Sequence, residues 1–362
     1  MNIKDFPFEN YIKYKEQKDK NLMNFISGVS REIPIINPPD SWHWTGVCRS
    51  KEQSLEAQLE YLYTTMYTKS DLAFTYIEPW YGVGLYGAAF GCRYEFSGDE
   101  SPQTRPIYNT VEEIRNIKYP SIKSCSEMQT VLEMIRYFKS KIGDYIDIDL
   151  TDTQSPNDTA SIILDPCELF IQSIEEPELL TPFLDKITDL IIEFSEMQIE
   201  AIGSNLCLPG HIMISNRNFS GISISDDNMA VISPTSYINS SMIYNERLSK
   251  HFGGIAIHTC GNAKANLNLM KKTSNLFMVD LALGTAVDPT PNLASDVKNC
   301  FEGSDVIVKV KVGDEELDKI AELIRSDIKI IVELRMNCPL EERNQRYEKA
   351  KEKIDIIKNQ ND

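Results

Sequence analysis

Gly254-Ile255-Ala256-Ile257-His258-Thr259-Cys260-Gly261 is the stretch on which the reading of this 362-residue chain turns. Its apolar start is of strand type, and a glycine closes it. Side chains alternate faces along a strand, so His258 and Cys260, two apart, point the same way. An imidazole and a thiol on one side of a strand end make half of a zinc site. The rest of the chain is then asked for a scaffold and a third ligand.

Downstream, short apolar runs alternate with amphipathic segments. Helix 263–272 precedes strand 276–281, helix 292–301 precedes strand 306–310, helix 314–325 precedes strand 328–333, and helix 340–358 follows. Upstream the same alternation is looser. Helical spacing over 8–28 leads to strand 33–36, and helix 52–67 to strand 72–77. An irregular insertion rich in Gly, Pro and aromatics runs to about residue 125. Helix 127–141 then precedes strand 145–150. A helical region over 159–202, broken near Pro166 and Pro177, is followed by an apolar run at 212–214 and helix 235–251. Apolar strands between helices imply a parallel sheet covered by helices. Eight such strands predict an α/β fold, a (β/α)₈ TIM barrel. It forms one domain over 1–362, with a helical N-terminal extension (1–30) and an insertion (78–125) covering the barrel mouth. An open doubly wound sheet is the competing arrangement.

The charge narrows the partners. The chain carries 54 acidic and 37 basic residues, for a formal net charge of −17. Such a surface repels phosphate backbones, which argues against nucleic acid. No apolar run approaches the roughly 20 residues of a membrane span. The first residues lack the charged-then-apolar layout of a secretory signal. Eight cysteines are scattered without a CxxC pair, as expected of reduced thiols in a cytoplasmic protein. Any metal site must therefore be assembled from distant parts of the sequence.

In a barrel the loops after the strands share one face, where active sites are built. His258 and Cys260 end the fifth predicted strand. Cys338, in Arg335-Met336-Asn337-Cys338-Pro339, follows the eighth. Singly, a cysteine is more often core and a histidine more often a hydrogen-bonded structural residue. Three zinc-type ligands at one mouth leave the fourth tetrahedral position open, as catalytic zinc requires.

His-x-Cys-Gly with a second cysteine 78 positions on resembles the zinc site of methylcobalamin:thiol methyltransferases, which belong to the uroporphyrinogen decarboxylase superfamily of (β/α)₈ barrels. Asp149 to Asp158 (DLTDTQSPND) resembles that group's third-strand loop. Ile224-Ser225-Asp226-Asp227 with Ile232-Ser233-Pro234 resembles the segment before its fifth strand, and Val279-Asp280-Leu281 its sixth. The resemblance implies Zn²⁺ held by His258, Cys260 and Cys338, with a substrate thiol in the fourth position. It further implies substrate contacts from Asp152, Gln154, Asp226, Asp227 and Tyr237. Asp280 would fill the open zinc position at rest or hold substrate, unless it is a helix-facing or capping acid. Glu78 stands where the decarboxylases have an acidic catalytic residue. The implied reaction moves a methyl group from methylcobalamin, or a corrinoid on a partner carrier protein, to a small thiol or a pterin. The chain departs from the decarboxylases at the first strand. Their carboxylate-gripping arginine segment is here Asn37-Pro38-Pro39-Asp40-Ser41-Trp42-His43-Trp44, with no arginine before Arg49. Metal-independent decarboxylation is therefore the second reading, and a non-catalytic barrel that binds a partner the third.

Several features have competing explanations. Gly82-Val83-Gly84-Leu85-Tyr86-Gly87 satisfies GxGxxG, but a dinucleotide fold needs a helix there and an acid on a second strand. The nearest acids, Asp99-Glu100, lie in a turn-like segment, and a mobile lid explains the glycines more simply. Asp226-Asp227 is either a substrate contact or a turn and N-cap. His43, between Trp42 and Trp44, suits a flat cofactor or plain packing. His211 and His251 lack a partner at ligand spacing and read as structural. Glu333 is either a buried partner behind the zinc or an exposed strand-end acid.

Overall fold

Branched and leucine residues fill the late strand segments almost without interruption, which suits strands packed on both faces. In the computed structural model, which describes residues 1–39, 48–96 and 101–360, they form a parallel sheet. The strands in chain order are β1 (Ile35–Ile36), β2 (Tyr76–Ile77), β3 (Tyr94–Glu95), β4 (Gln103–Thr104), β5 (Asp147–Ile148), β6 (Ile222–Ser225), β7 (Ile255–Thr259), β8 (Leu276–Ala282), β9 (Ile307–Gly313) and β10 (Ile330–Arg335). Six of them run β1-β10-β9-β8-β7-β6 in one sheet, and β2 pairs with β5. Parallel bridges Ile36↔Leu72 and Gln154↔Ser225 join that pair to both edges of the larger sheet. The eight parallel strands thus follow one another around the predicted barrel. The remaining two, β3 and β4, form an antiparallel hairpin inside the insertion.

One strand lies elsewhere than expected. The apolar run at 212–214 is a turn, in which Met213 N–H donates to the Gly210 carbonyl and Ile212 has φ 54°. The fourth barrel strand is β6, whose alternating Ile-Ser-Ile-Ser pattern is wholly buried. Hydroxyls that find partners inside a barrel lower the hydrophobic signal without preventing a strand.

The period of two sorts the late strands into layers. Ala256, Met278, Ile307 and Ile331 form an apolar floor with Leu22 and Phe25 from helix Phe8–Ile26. The N-terminal extension therefore closes the end of the barrel away from the loops. Two residues further along the same strands come His258, Asp280, Lys309 and Glu333, and two further again Cys260, Lys311 and Arg335. The intervening Ile257, Val279, Val308, Val310, Val332 and Leu334 join the larger core shared with the helices.

Most of the other helices agree with the sequence reading, although 263–272 shortens to Leu267–Met270 and 314–325 is mostly 3-10 helix, Asp314–Ile320. The 159–202 region divides into Pro156–Ser161, Pro166–Glu175 and Pro177–Ile202, each opening on a proline, whose missing N–H costs nothing in a first turn. The GxGxxG turn does open a helix, but only the short Leu85–Ala89. A Cβ on Gly84 would lie 2.6 Å from the Thr104 backbone nitrogen. These glycines admit the β3–β4 hairpin at close range, and Leu85 and Tyr86 are fully buried rather than exposed on a lid. His43 with its flanking tryptophans, and Asp99-Glu100, lie outside the described residues. Among the described residues, no helix is long and apolar enough to cross a membrane.

Candidate active site

Strand β7 presents His258 and Cys260 together, with Nε2 3.2 Å from Sγ. Asp227, just past β6, places a carboxylate oxygen 3.7 Å from the same Nε2 and accepts the Cys260 N–H at 2.6 Å. Among the described residues these three are the group of potential metal ligands, their donor atoms lying within 4.8 Å of one another. Tetrahedral zinc, with bonds of about 2.0 Å to nitrogen and 2.3 Å to sulfur, would set nitrogen and sulfur about 3.5 Å apart. The spacing and the donor chemistry both fit.

The other face of the imidazole is fixed from behind. Asp280 on β8 meets Nδ1 at 2.6 Å and is wholly buried. An ionised carboxylate there accepts a hydrogen bond from Nδ1–H and leaves the Nε2 lone pair facing Cys260. Burial alone would raise the Asp280 pKa. Lys309 at 2.8 Å and Lys311 at 2.6 Å outweigh it and hold the carboxyl well below the usual range. Asp280 is therefore neither an open-position ligand nor a capping acid, as the sequence had suggested, but the anchor of the imidazole. The ladder continues through Lys309 to Glu333, which also meets Arg335 at 2.7 Å. Glu333 is thus buried behind His258, not exposed at a strand end. Charges this deep persist only when each has its partner.

Burial, reinforced by Asp227, pushes the Cys260 thiol up to about 12 although Lys311 opposes it. Without a metal this sulfur stays protonated at neutral pH.

Cys338 is not brought into the group. Its loop follows β10 and is tied down by Arg343, which donates to the carbonyls of Pro38 and Met336. Pro339 then caps helix Leu340–Asn359, and the thiol lies within electrostatic reach of Arg346. Loop ties of this kind leave no periodic signal in a sequence.

Of the expected substrate contacts, Asp226 is wholly buried and bonded to Ser155 and Asn245, and burial raises its pKa to about 6. Tyr237 is also wholly buried, near Asp226. These two hold the end of β6 against helices rather than facing the mouth. Asp227 serves the ligand group, and Gln154 donates to Asp152 at 3.0 Å.

Sequence reasoning missed a second charged cluster. His211, read as structural, has Nδ1 2.7 Å from Glu78 and Nε2 3.8 Å from Asp152, with all three side chains nearly buried. Burial works against its charge, but Glu78 and Asp152 outweigh it and push the imidazole up to about 9. Glu78 itself is raised, mainly by burial. Gln58 clamps its backbone, donating to the Glu78 carbonyl and accepting the Glu78 N–H. Glu78, Arg335 and Glu333 share a cavity of about 110 Å³ with Tyr61, Phe74, Tyr76 and Ile212. No motif joins Glu78 to His211, which lie 133 residues apart. His251 does pair at the surface, with Glu196.

Comparison with known proteins agrees with this architecture. A solved methyltransferase from Methanosarcina mazei superposes with a TM-score of 0.66 at 16% identity, over 92% of this chain and 97% of that one. At that identity the likeness is one of fold. No curated protein matches. The uroporphyrinogen decarboxylase (URO-D) family model matches residues 80–302, more than half of the chain and including β7 and its ligand pair. The chain belongs to the uroporphyrinogen decarboxylase family.

Proposed function

We propose that this protein is a zinc-dependent methyltransferase, moving a methyl group from a corrinoid on a carrier protein to a small thiol or a related acceptor such as a pterin. The observation that carries the reading is the imidazole whose Nδ1 is committed to an ionised carboxylate while Nε2 faces a thiol 3.2 Å away. His258 and Cys260 would hold the ion, with Cys338 as third donor. Asp227 stands beside the imidazole in the arrangement described above. When bound, zinc lowers the pKa of a coordinated thiol and so supplies a thiolate nucleophile at neutral pH. The chain's own residues prepare for this. Asp280 fixes the tautomer and aim of the imidazole, and the Asp227 carboxylate fixes the Cys260 backbone. The floor of Met278, Ile307 and Leu22 excludes water from below. The methyltransferase likeness supports the reading through fold alone.

The experiment is metal analysis followed by methyl transfer. About one zinc per chain is expected, lost in Cys260→Ser, together with consumption of methylcobalamin when a thiol is supplied. Full activity toward a porphyrinogen in metal-stripped protein would overturn the reading in favour of a decarboxylase, for which the Glu78–His211 pair is the acidic centre. Bound zinc with no alkyl transfer to any thiol or folate would leave a binding protein.

A further inference from the structure

The cavity lined by Glu78, Glu333 and Arg335 carries opposite charges. On one side is Glu78; it and Asp152, which is not itself in the lining, flank the His211 imidazole, so among the described residues two carboxylates share one cation. Gln154 turns its amide toward Asp152, neutralising nothing. On the other side is Arg335, whose guanidinium is two-fifths exposed and has Glu333 as its partner, a carboxylate that Lys309 also engages. The anionic side thus has carboxylate to spare, and the Arg335 side has cationic capacity to spare. Between them the walls are apolar and aromatic, from Tyr61, Phe74, Tyr76 and Ile212. At about 110 Å³, against the roughly 150 Å³ of a cavity that takes benzene, the space suits the charged end of a small molecule whose tail extends out of it. Arg335 also lies within electrostatic reach of Cys260. A ligand anchored on that guanidinium therefore faces the same layer of strand-end residues to which Cys260 belongs.

We propose that this cavity recognises a zwitterion, and that the methyl acceptor is a small amino-acid-type thiol whose ammonium faces Glu78 and whose carboxylate faces Arg335. A purely anionic acceptor would satisfy Arg335 and be repelled by Glu78, with the Asp152 charge adding to that from behind the His211 ring. A purely cationic one would answer Glu78 but be repelled by Arg335. Only a molecule bearing both charges answers both sides, and each matched charge contributes on the order of tenfold in affinity where it is partly desolvated. The role of the sulfur rests on the methyl-transfer reading, whereas the charge recognition does not.

The test is a matched ligand series on the zinc-loaded full chain, with binding measured by calorimetry. L-Homocysteine carries both charges, 4-mercaptobutyrate lacks the ammonium, and 3-mercaptopropylamine lacks the carboxylate. Homocysteine is expected to bind about tenfold more tightly than either. Glu78→Gln should erase its advantage over 4-mercaptobutyrate, and Arg335→Met its advantage over 3-mercaptopropylamine. L-2-Aminobutyrate against butyrate, neither with sulfur, repeats the comparison without the metal. Should a variant fail to fold, the series on the unaltered chain decides alone. If 4-mercaptobutyrate binds as tightly as homocysteine, and butyrate as tightly as 2-aminobutyrate, the zwitterion proposal is overturned while the zinc reading stands. If no zinc binds yet 2-aminobutyrate is still preferred, the zinc reading fails and the cavity proposal survives.

Discussion

The two charged clusters at the mouth of this barrel are built in opposite ways. His258, Asp280, Lys309 and Glu333 sit at one level of four neighbouring strands, where the register pairs His258 with Asp280 and Asp280 with Lys309. Glu78, His211 and Asp152 come instead from a segment just past β2, from a turn between helices and strands, and from a loop after β5. The first cluster is rigid because backbone ladders hold every member. The second is held by side-chain bonds such as that from Gln58. Substitutions should therefore cost stability at the ladder and alter pH response or ligand choice at the loops.

The largest effect is expected from Asp280→Ala. It strands Lys311 in the interior, leaves Lys309 with Glu333 alone and frees His258, so unfolding in urea should show a loss of about 3–5 kcal/mol. Asp280→Asn keeps the shape and removes the charge. Zinc affinity in that variant should fall by about 10- to 100-fold through loss of the imidazole's anchor. A variant that keeps both stability and zinc affinity would mean that the ladder is not organised around Asp280.

Next is the pH response of the loop cluster. The pKa of His211 is raised in the folded chain to about 9, from about 6.5 unfolded. Its stabilising contribution is therefore complete below about pH 6.5 and is lost as pH rises toward 9. That difference in pKa corresponds to about 3 kcal/mol across the window. His211→Gln should flatten the slope of stability between pH 6.5 and 9, and an unchanged slope would show that the imidazole is not held charged there.

The same contrast explains what could be read in advance. Strand periodicity put His258 and Cys260 on one face, and it would have put Asp280, Lys309 and Glu333 on the facing strands had the lysines been treated as interior. They were not, because a buried lysine is rare unless paired, and the pairing depends on register between strands. The eight-strand rhythm was legible in the last third, where strands are six or seven residues long. Further upstream they shrink to two residues. There the 212–214 run, more apolar than the true strand at 222–225, was the stronger signal and the wrong one. His211 had no visible partner because side chains on loops meet at distances in sequence that follow no period.

The smallest effects decide the third metal ligand. Asp227 is near the imidazole, but its Oδ1 already accepts the Cys260 N–H at 2.6 Å, and leaving that bond for a metal would free a backbone donor. Cys338 lies outside the group but belongs to the loop that follows β10, and a thiolate is the stronger zinc donor. Binding an ion can supply the free energy to draw in one short loop, since what it gains on the closed arrangement offsets the contacts released by Arg343. Cys338→Ser is therefore expected to weaken zinc binding by at least about tenfold, and Asp227→Asn by no more than about threefold. Both would be read by competition with a chromogenic chelator. The reverse order would fix Asp227 as the ligand and leave Cys338 a packed thiol beside the final helix. Equal, small losses would mean that His258 and Cys260 bind the ion with water alone, a site too weakly held to keep zinc through purification.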